Sequence, residues 1–510
     1  MKRYLSLFGG GSFIGDTAIT FLTSLAARLI TLASMAVITR LYDPAAYGAW
    51  VLLLAFANFF LAFTNLRYDI ALVLAPTQRM AQGILLGILG ITAATVCIVF
   101  AISLLAPPQM LSWMTGLPQS DHNMIFVVPV ILAVVAIQFL LQTWATRQRA
   151  FKTISISITA QAIVTAIVTI ALPFAIGATA AAAGVGAIIG NLLTIAILGW
   201  HARNDLRAAF SSHLPWPVIR KSLHIYRVYP LFTLPFSLSV ILTERIIQVT
   251  LAGAFSVSLL GTYFVARQLM QAPVSILASS IRNVLVAHGA REQTMDRTRF
   301  RVEGLLTSLI LVVAPGLAYG VIWLEPTVAF VLGSEWPMLP QIAWWCMFPA
   351  CALLFSGPLD RMPDMVGRQK LSVAMQLASD IVMLSVMFLC ISQGFSALHT
   401  IASISTSLTL YNVIWLVVIL HLIGVEMKNI SYLFLKFFLL FALSFLAQYG
   451  LYFLNIGNIA LLAGGIVMVV SCGIGIFWLA RSIVSGKQSD VAVVPVEPFD
   501  ASLNSLGGPL

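Results

Sequence analysis

Residues 40–69 read RLYDPAAYGAWVLLLAFANFFLAFTNLRYD, and this stretch decides the fold. A short turn with one acid, Asp43, leads into Tyr47-Gly48. An apolar run follows, and it closes on Leu66-Arg67-Tyr68-Asp69. An α-helix needs roughly 20 apolar residues to cross a bilayer, and this run is long enough. Working outward in both directions, the same unit recurs until it fills the chain. Fourteen spans are predicted: 12–39, 47–73, 81–105, 123–145, 154–176, 179–200, 229–251, 257–284, 303–324, 338–358, 371–392, 397–422, 430–454 and 457–481.

The basic residues orient these spans. All but four of the 28 Lys and Arg lie at the chain ends or in every second connection, from Lys2 and Arg3 through Arg67, Arg147, Arg227, Arg282 and Arg368 to Arg481 and Lys487. Basic residues are retained on the cytoplasmic side during insertion. An even number of spans with both termini cytoplasmic therefore follows. The alternate connections carry only Arg40, beside acids such as Glu325 and Glu335.

Composition agrees. With 60% apolar and 9% charged residues, the sequence excludes a soluble globular protein. The net charge of +10 is spread over separate loops and suits anionic head groups better than nucleic acid. The five cysteines lie within spans, without zinc-ligand or paired-disulfide spacing. Lys2-Arg3 precedes a first span too long for a signal peptide, so that helix is expected to be retained. Gly9-Gly10-Gly11 lacks the ending of a phosphate loop. The basic segment His201–Arg227 is expected to form a short amphipathic helix on the membrane surface, and 486–510 a disordered cytoplasmic tail.

An internal repeat is legible. The turn, Gly48 and Arg67 of the first two spans find counterparts in Ala254-Phe-Ser-Val-Ser-Leu-Leu-Gly261 and Ser280-Ile-Arg282 of spans seven and eight. Six spans, a basic loop and six more predict an all-α, polytopic membrane protein with two lobes related about the membrane normal. The expected division is 1–200 for the first lobe, 201–228 for the connection, 229–422 for the second lobe and 423–485 for two appended helices. Tyr229-Pro230-Leu-Phe-Thr-Leu-Pro235 opens the second lobe, and its two prolines mark a hinge.

Charge at bilayer depth costs at least ~2.5–3.5 kcal/mol, so ionisable residues inside spans are read as functional. Arg28, Glu244, Arg245 and Arg267 sit in the central to outer part of the membrane. Three arginines against one glutamate have the sign to hold a diphosphate, which the guanidinium fork matches. Asp16 and Asp380 are the other acids within spans and are candidates for a coupling cation, H⁺ or Na⁺. No catalytic constellation, nucleotide loop or cofactor motif is present, and no cofactor is expected. His201, His213 and His224 are spaced too widely for a compact metal site.

In order along about 330 residues, several segments resemble the bacterial polysaccharide exporters, or lipid-linked oligosaccharide flippases, of the multidrug/oligosaccharidyl-lipid/polysaccharide exporter superfamily. They are Tyr47-Gly48, Leu66-Arg67-Tyr68-Asp69, Thr146-Arg147-Gln148-Arg149-Ala-Phe151 and Gly186-Ala-Ile-Ile-Gly190. Further along come Tyr229-Pro230 to Pro235, Arg267-Gln-Leu-Met-Gln-Ala-Pro273, Leu332-Gly333-Ser-Glu-Trp336, Ser356-Gly-Pro358 and Gly367-Arg368-Gln369. The last two spans match poorly. The resemblance implies two six-helix lobes around a central cavity that opens alternately to either side of the bacterial inner membrane. It implies a polyprenyl-diphosphate-linked oligosaccharide as cargo, membrane lipids as surroundings, and a polysaccharide polymerase and export machinery as partners. The pathway would be O-antigen, capsule or exopolysaccharide synthesis. Two alternatives remain: a cation-coupled multidrug exporter, which wants acids in its cavity, and a membrane glycosyltransferase or polymerase, which wants large outer loops.

Overall fold

The computed structural model describes residues 13–116, 124–211, 215–289, 295–333, 335–365, 368–453, 464–471 and 473. Thirteen long helices dominate them. They are α1 (Phe13–Leu41), α2 (Pro44–Asn65), α3 (Gln78–Leu105), α4 (Val128–Arg147), α5 (Phe151–Ala171), α6 (Ala180–Ser211), α7 (Leu234–Ala254), α8 (Val257–Gly289), α9 (Met295–Leu332), α10 (Leu339–Ser356), α11 (Gln369–Ser392), α12 (Ala397–Leu422) and α13 (Met427–Phe453). No strand occurs among the described residues. Among the described residues eleven helices are long and apolar enough to cross a membrane; α1 and α8, the two long helices outside that set, carry Arg28 and Arg267. The protein is a multi-pass, all-α membrane protein. Most of the fourteenth span and the tail at 486–510 lie outside the described residues, although 464–471 is helical.

The helices pack in two sets that repeat each other. In the first, α1 lies on α5, α2 on α4, α3 on α4, and α6 on both α4 and α5. Six helices later, α7 lies on α11, α8 on α10, α9 on α10, and α12 on both α10 and α11. The cross-contacts are paired in the same way, α1 with α8 and α2 with α7. Between the lobes α2 crosses α8, and the two repeat glycines meet there. A Cβ on Gly48 would collide with the Val257 carbonyl oxygen, and one on Gly261 with the Pro44 carbonyl oxygen and the Gly48 amide. Only glycine permits backbones this close.

This crossing joins the lobes at the end of the bundle opposite the basic connections. Around it lie Trp336, whose indole donates to the Thr39 carbonyl at 2.7 Å, and Tyr47, packed against Trp336 and Phe264. Thr39 Oγ1 donates to the Leu332 carbonyl at 3.1 Å, so α1 and α9 are stitched as well.

Two expected spans are interrupted. The span at 47–73 ends its helix at Asn65, turns through Leu66 and Arg67 with φ of 45° and 62°, and resumes as a short helix, Tyr68–Leu74. Non-glycine residues in this region cost roughly 1–3 kcal/mol each and persist only where surroundings hold them. Arg147 does part of the holding. Its Nη1 donates to the carbonyls of Leu72, Val73 and Ala75, capping the short helix. The span at 229–251 begins as a π-helical turn, Tyr229–Thr233, before α7.

Between the lobes, within the basic segment expected to hold a short amphipathic helix, Trp216–Ile225 is helical. It packs on α3, with Ser222 against Gly83 and Leu223 against Gly87. At the far end of the chain α13 leans on α9 with most of its surface exposed. A polar clasp holds it there: Gln448, 1% exposed, accepts from Trp323 Nε1 at 3.0 Å and donates to the Gly464 carbonyl.

Candidate functional site

The helices α7 and α8 run antiparallel from one tight turn, so residues equally far from the turn lie side by side. Glu244 is ten residues before the end of α7, and Arg267 ten after the start of α8. At about 1.5 Å per residue both lie ~15 Å inside the bundle. Arg267 Nη1 donates to Glu244 Oε1 at 2.7 Å, and its Nε to Gln271 Oε1 at 3.2 Å. The Tyr263 hydroxyl, one turn away, reaches the same guanidinium. The ion pair is partly accessible: the side chains of Arg267 and Glu244 are 30% and 44% exposed. An exposed pair at this depth needs a water-filled opening between the helices, since hydrocarbon leaves such groups unsolvated.

Arg245, the next residue, turns the other way. It is 8% exposed, its Nη1 donates to the Leu52 carbonyl at 3.3 Å and its Nη2 to the Thr115 carbonyl at 3.1 Å. Its guanidinium lies 5.4 Å from the centre of the Phe56 ring. One helical step rotates a side chain by about 100°, which separates Arg245 from Arg267 and places it in the seam between α7 and α2. Arg28 lies on an exposed face of α1, without a hydrogen bond or ion pair to another described residue. The structure thus brings together Arg267 and Glu244, and in this conformation joins neither Arg28 nor Arg245 to them.

Asp380 lies apart, buried where α7, α11 and α12 meet. Gln376 Nε2 donates to its Oδ1 at 3.0 Å, and the Tyr411 hydroxyl to Gln376 Oε1 at 3.2 Å. Thr243 of α7 faces the same carboxylate, while Oδ2 accepts no hydrogen bond. A carboxylate with one oxygen held and the other buried without a hydrogen bond is equipped to hold a proton or a small cation. Asp16 falls in the first turn of α1, and its side chain is outside the described residues. Pro230 sits in the π turn and Pro235 in the first turn of α7, which follows the π turn without a break, so neither supplies a backbone donor to this helical stretch.

Sequence reasoning passed over Arg67 as an orientation marker. Its Nε and Nη2 both donate to Ser237 Oγ, at 2.9 and 2.6 Å, across the lobes at the basic end. The available signal was its place in a recurrent motif beside Tyr68-Asp69, without a partner that spacing alone identifies.

With this geometry in view, comparisons with known proteins are informative. The sequence profile of a family described as "Polysaccharide biosynthesis protein" matches residues 37–339, more than half of the chain. A search of curated proteins finds no match to the sequence. Among solved structures, the lipid II flippase MurJ in an inward closed conformation aligns with a TM-score of 0.67 at 10% identity, covering 91% of this chain and 99% of that one. An inward-facing multidrug resistance MATE transporter of the MOP superfamily aligns with a TM-score of 0.62 at 11% identity, covering 80% and 98%. An outward-facing structure from the same transporter family gives a TM-score of 0.50 at 11% identity, covering 82% and 95%. At these identities the likeness is one of fold.

Proposed function

We propose, because the chain belongs to the polysaccharide biosynthesis protein family and holds a partly accessible arginine–glutamate pair at bilayer depth, that it moves a polyprenyl-diphosphate-linked oligosaccharide across the bacterial inner membrane. The observation that carries the reading is Arg267. A guanidinium kept accessible between helices, with a carboxylate that can be exchanged, is suited to receive a diphosphate through two parallel hydrogen bonds. Carrying that head group through hydrocarbon unaided would strip its charges of water. In this reading the protein carries cargo and performs no covalent chemistry on it.

The moving units are the lobes 1–200 and 229–422, with the basic connections on the cytoplasmic side. The seam at Gly48 and Gly261 is the closed outer gate, and Arg67–Ser237 is a lighter contact on the cytoplasmic side. The π turn with Pro230 and Pro235 is the hinge. Arg28 supplies a second cation to the cavity. Arg245 joins when α2 moves off α7 and its two carbonyl bonds break. Asp380 is the site of a coupling cation, with Asp16 as a second candidate. The released glycan passes to a polymerase and export machinery for O-antigen, capsule or exopolysaccharide.

The test is made in cells. Deleting the chain should abolish surface polysaccharide and leave lipid-linked oligosaccharide protected from a glycosidase added to spheroplasts. Normal surface polysaccharide, or glycolipid open to the enzyme, contradicts the reading.

A further inference from the structure

At the end of the bundle opposite the basic connections, α9, α10, the start of α12 and Tyr452 of α13 surround a cavity of about 820 Å³. The pair Arg267–Glu244 takes no part in it. Its size falls in the range of about 300–1,000 Å³ typical of small-molecule sites. Three tryptophans line it, Trp336, Trp344 and Trp345, the last two edge to face at 5.0 Å. Two of the rings are locked by the protein itself: Trp344 Nε1 donates to the Val321 carbonyl at 3.2 Å, and Trp336 Nε1 to the Thr39 carbonyl. A tryptophan serving only as an interfacial anchor turns its N–H to the head groups. Here the donors of Trp336 and Trp344 are already used; Trp336 is itself buried, so the partly exposed rings of Trp344 and Trp345 are what the cavity presents.

Two polar side chains complete the wall. Glu325 and Gln341 are exposed and make no hydrogen bond with a described residue. Among the described residues no Lys or Arg lines the cavity, which disfavours a phosphate. Aromatic faces suit the C–H face of a pyranose ring. A carboxylate accepts from hydroxyls, and an amide both accepts from and donates to them. The place is apt as well. Trp336 and Gly333 border the cavity and also touch α1 across the lobe seam, Gly333 lying against the Arg40 side chain.

We infer that this cavity is a saccharide site, which receives sugar residues of the cargo as they leave through the opened seam. The inference rests on the flippase reading for its cargo, but its chemistry is testable separately. An amine head group caged by the rings and Glu325 is the competing occupant, and the cavity is far larger than an ethanolamine group requires.

The experiment is saturation-transfer NMR on the purified full chain in nanodiscs free of ethanolamine lipids. The probes are maltose, cellobiose, N,N′-diacetylchitobiose and, separately, O-phosphoethanolamine. At least one disaccharide should receive saturation at its ring C–H protons. Gln341→Ala and Glu325→Gln should each weaken its binding by about three- to tenfold, the effect of one lost hydrogen bond. Both residues are exposed and make no hydrogen bond with a described residue, so neither variant threatens folding. Arg267→Ala should leave the signal intact. No transfer to any disaccharide, transfer in both variants as strong as in the parent, or displacement of the sugar by phosphoethanolamine overturns the site. Loss of translocation in Arg267→Ala alongside any of these results leaves the flippase reading standing and removes only the saccharide site.

Discussion

Arg267→Ala should lower glycolipid translocation by about one to two orders of magnitude, because a hydrogen bond to a charged group contributes roughly 1.5–3 kcal/mol and each 1.4 kcal/mol is tenfold. The protein should still accumulate normally. Glu244, left behind, is 44% exposed and stays hydrated, so an unpaired carboxylate there is a small burden on stability. Arg267→Lys should recover part of the loss, since it keeps the charge and loses the two-pronged geometry. Glu244→Gln should act in the opposite sense on binding. It removes the carboxylate that competes with a diphosphate for the guanidinium, so cargo should bind more tightly and leave more slowly. The measurement is surface polysaccharide at matched membrane abundance, with bound glycolipid recovered from each purified variant. Full production by Arg267→Ala, or weaker retention of glycolipid by Glu244→Gln, contradicts this assignment.

The second large effect is expected at the glycine crossing. Gly48→Val or Gly261→Val drives side-chain carbons into backbone carbonyls of the other lobe, which rotamer changes cannot relieve. Overpacking a filled contact costs about 1–3 kcal/mol or more. The seam between α2 and α8 should therefore spread. Single cysteines at Thr39 and Leu332, joined here by a hydrogen bond between the chain segments, report on it. In the parent both should resist a membrane-impermeant thiol reagent; in either valine variant labelling should rise several-fold and transport should fall. Equivalent behaviour of the two variants is required, because Gly48 and Gly261 occupy equivalent places in the repeat. Unchanged labelling and transport would return the crossing to ordinary packing.

These glycines also mark how far the sequence could be read. Their equivalence was legible from the turn that precedes each, and so was nearly every helix, because each span is a long apolar run bounded by charge. That the two glycines touch each other was not legible, since the contact exists only once two lobes are placed about a common axis. The arginines divide on similar grounds. The acid and base at 244 and 267 are equidistant from the turn between α7 and α8, which is a sequence-level reason for them to pair. Arg245 stands apart from them in this conformation; α7 carries Ser237, Ser239, Thr243, Gln248 and Thr250 on several faces, so its composition does not tell which face lines the opening. The left-handed break at Leu66-Arg67 carries no glycine or proline to announce it. It is sustained from outside, by Ser237 and Arg147, and neither lies near it in the chain. Asp380 and Gln376, four residues apart on one helix, were within reach of spacing arguments; Tyr411 and Thr243 were not.

The most direct test of the central claim is translocation by the purified chain in proteoliposomes loaded with a polyprenyl-diphosphate-linked oligosaccharide. Glycolipid initially confined to the inner leaflet should become accessible to an external glycosidase in vesicles holding the parent protein. It should remain protected for much longer in vesicles holding Arg267→Ala. Exposure of the glycolipid at the same rate in protein-free, Arg267→Ala and parent vesicles would contradict the account.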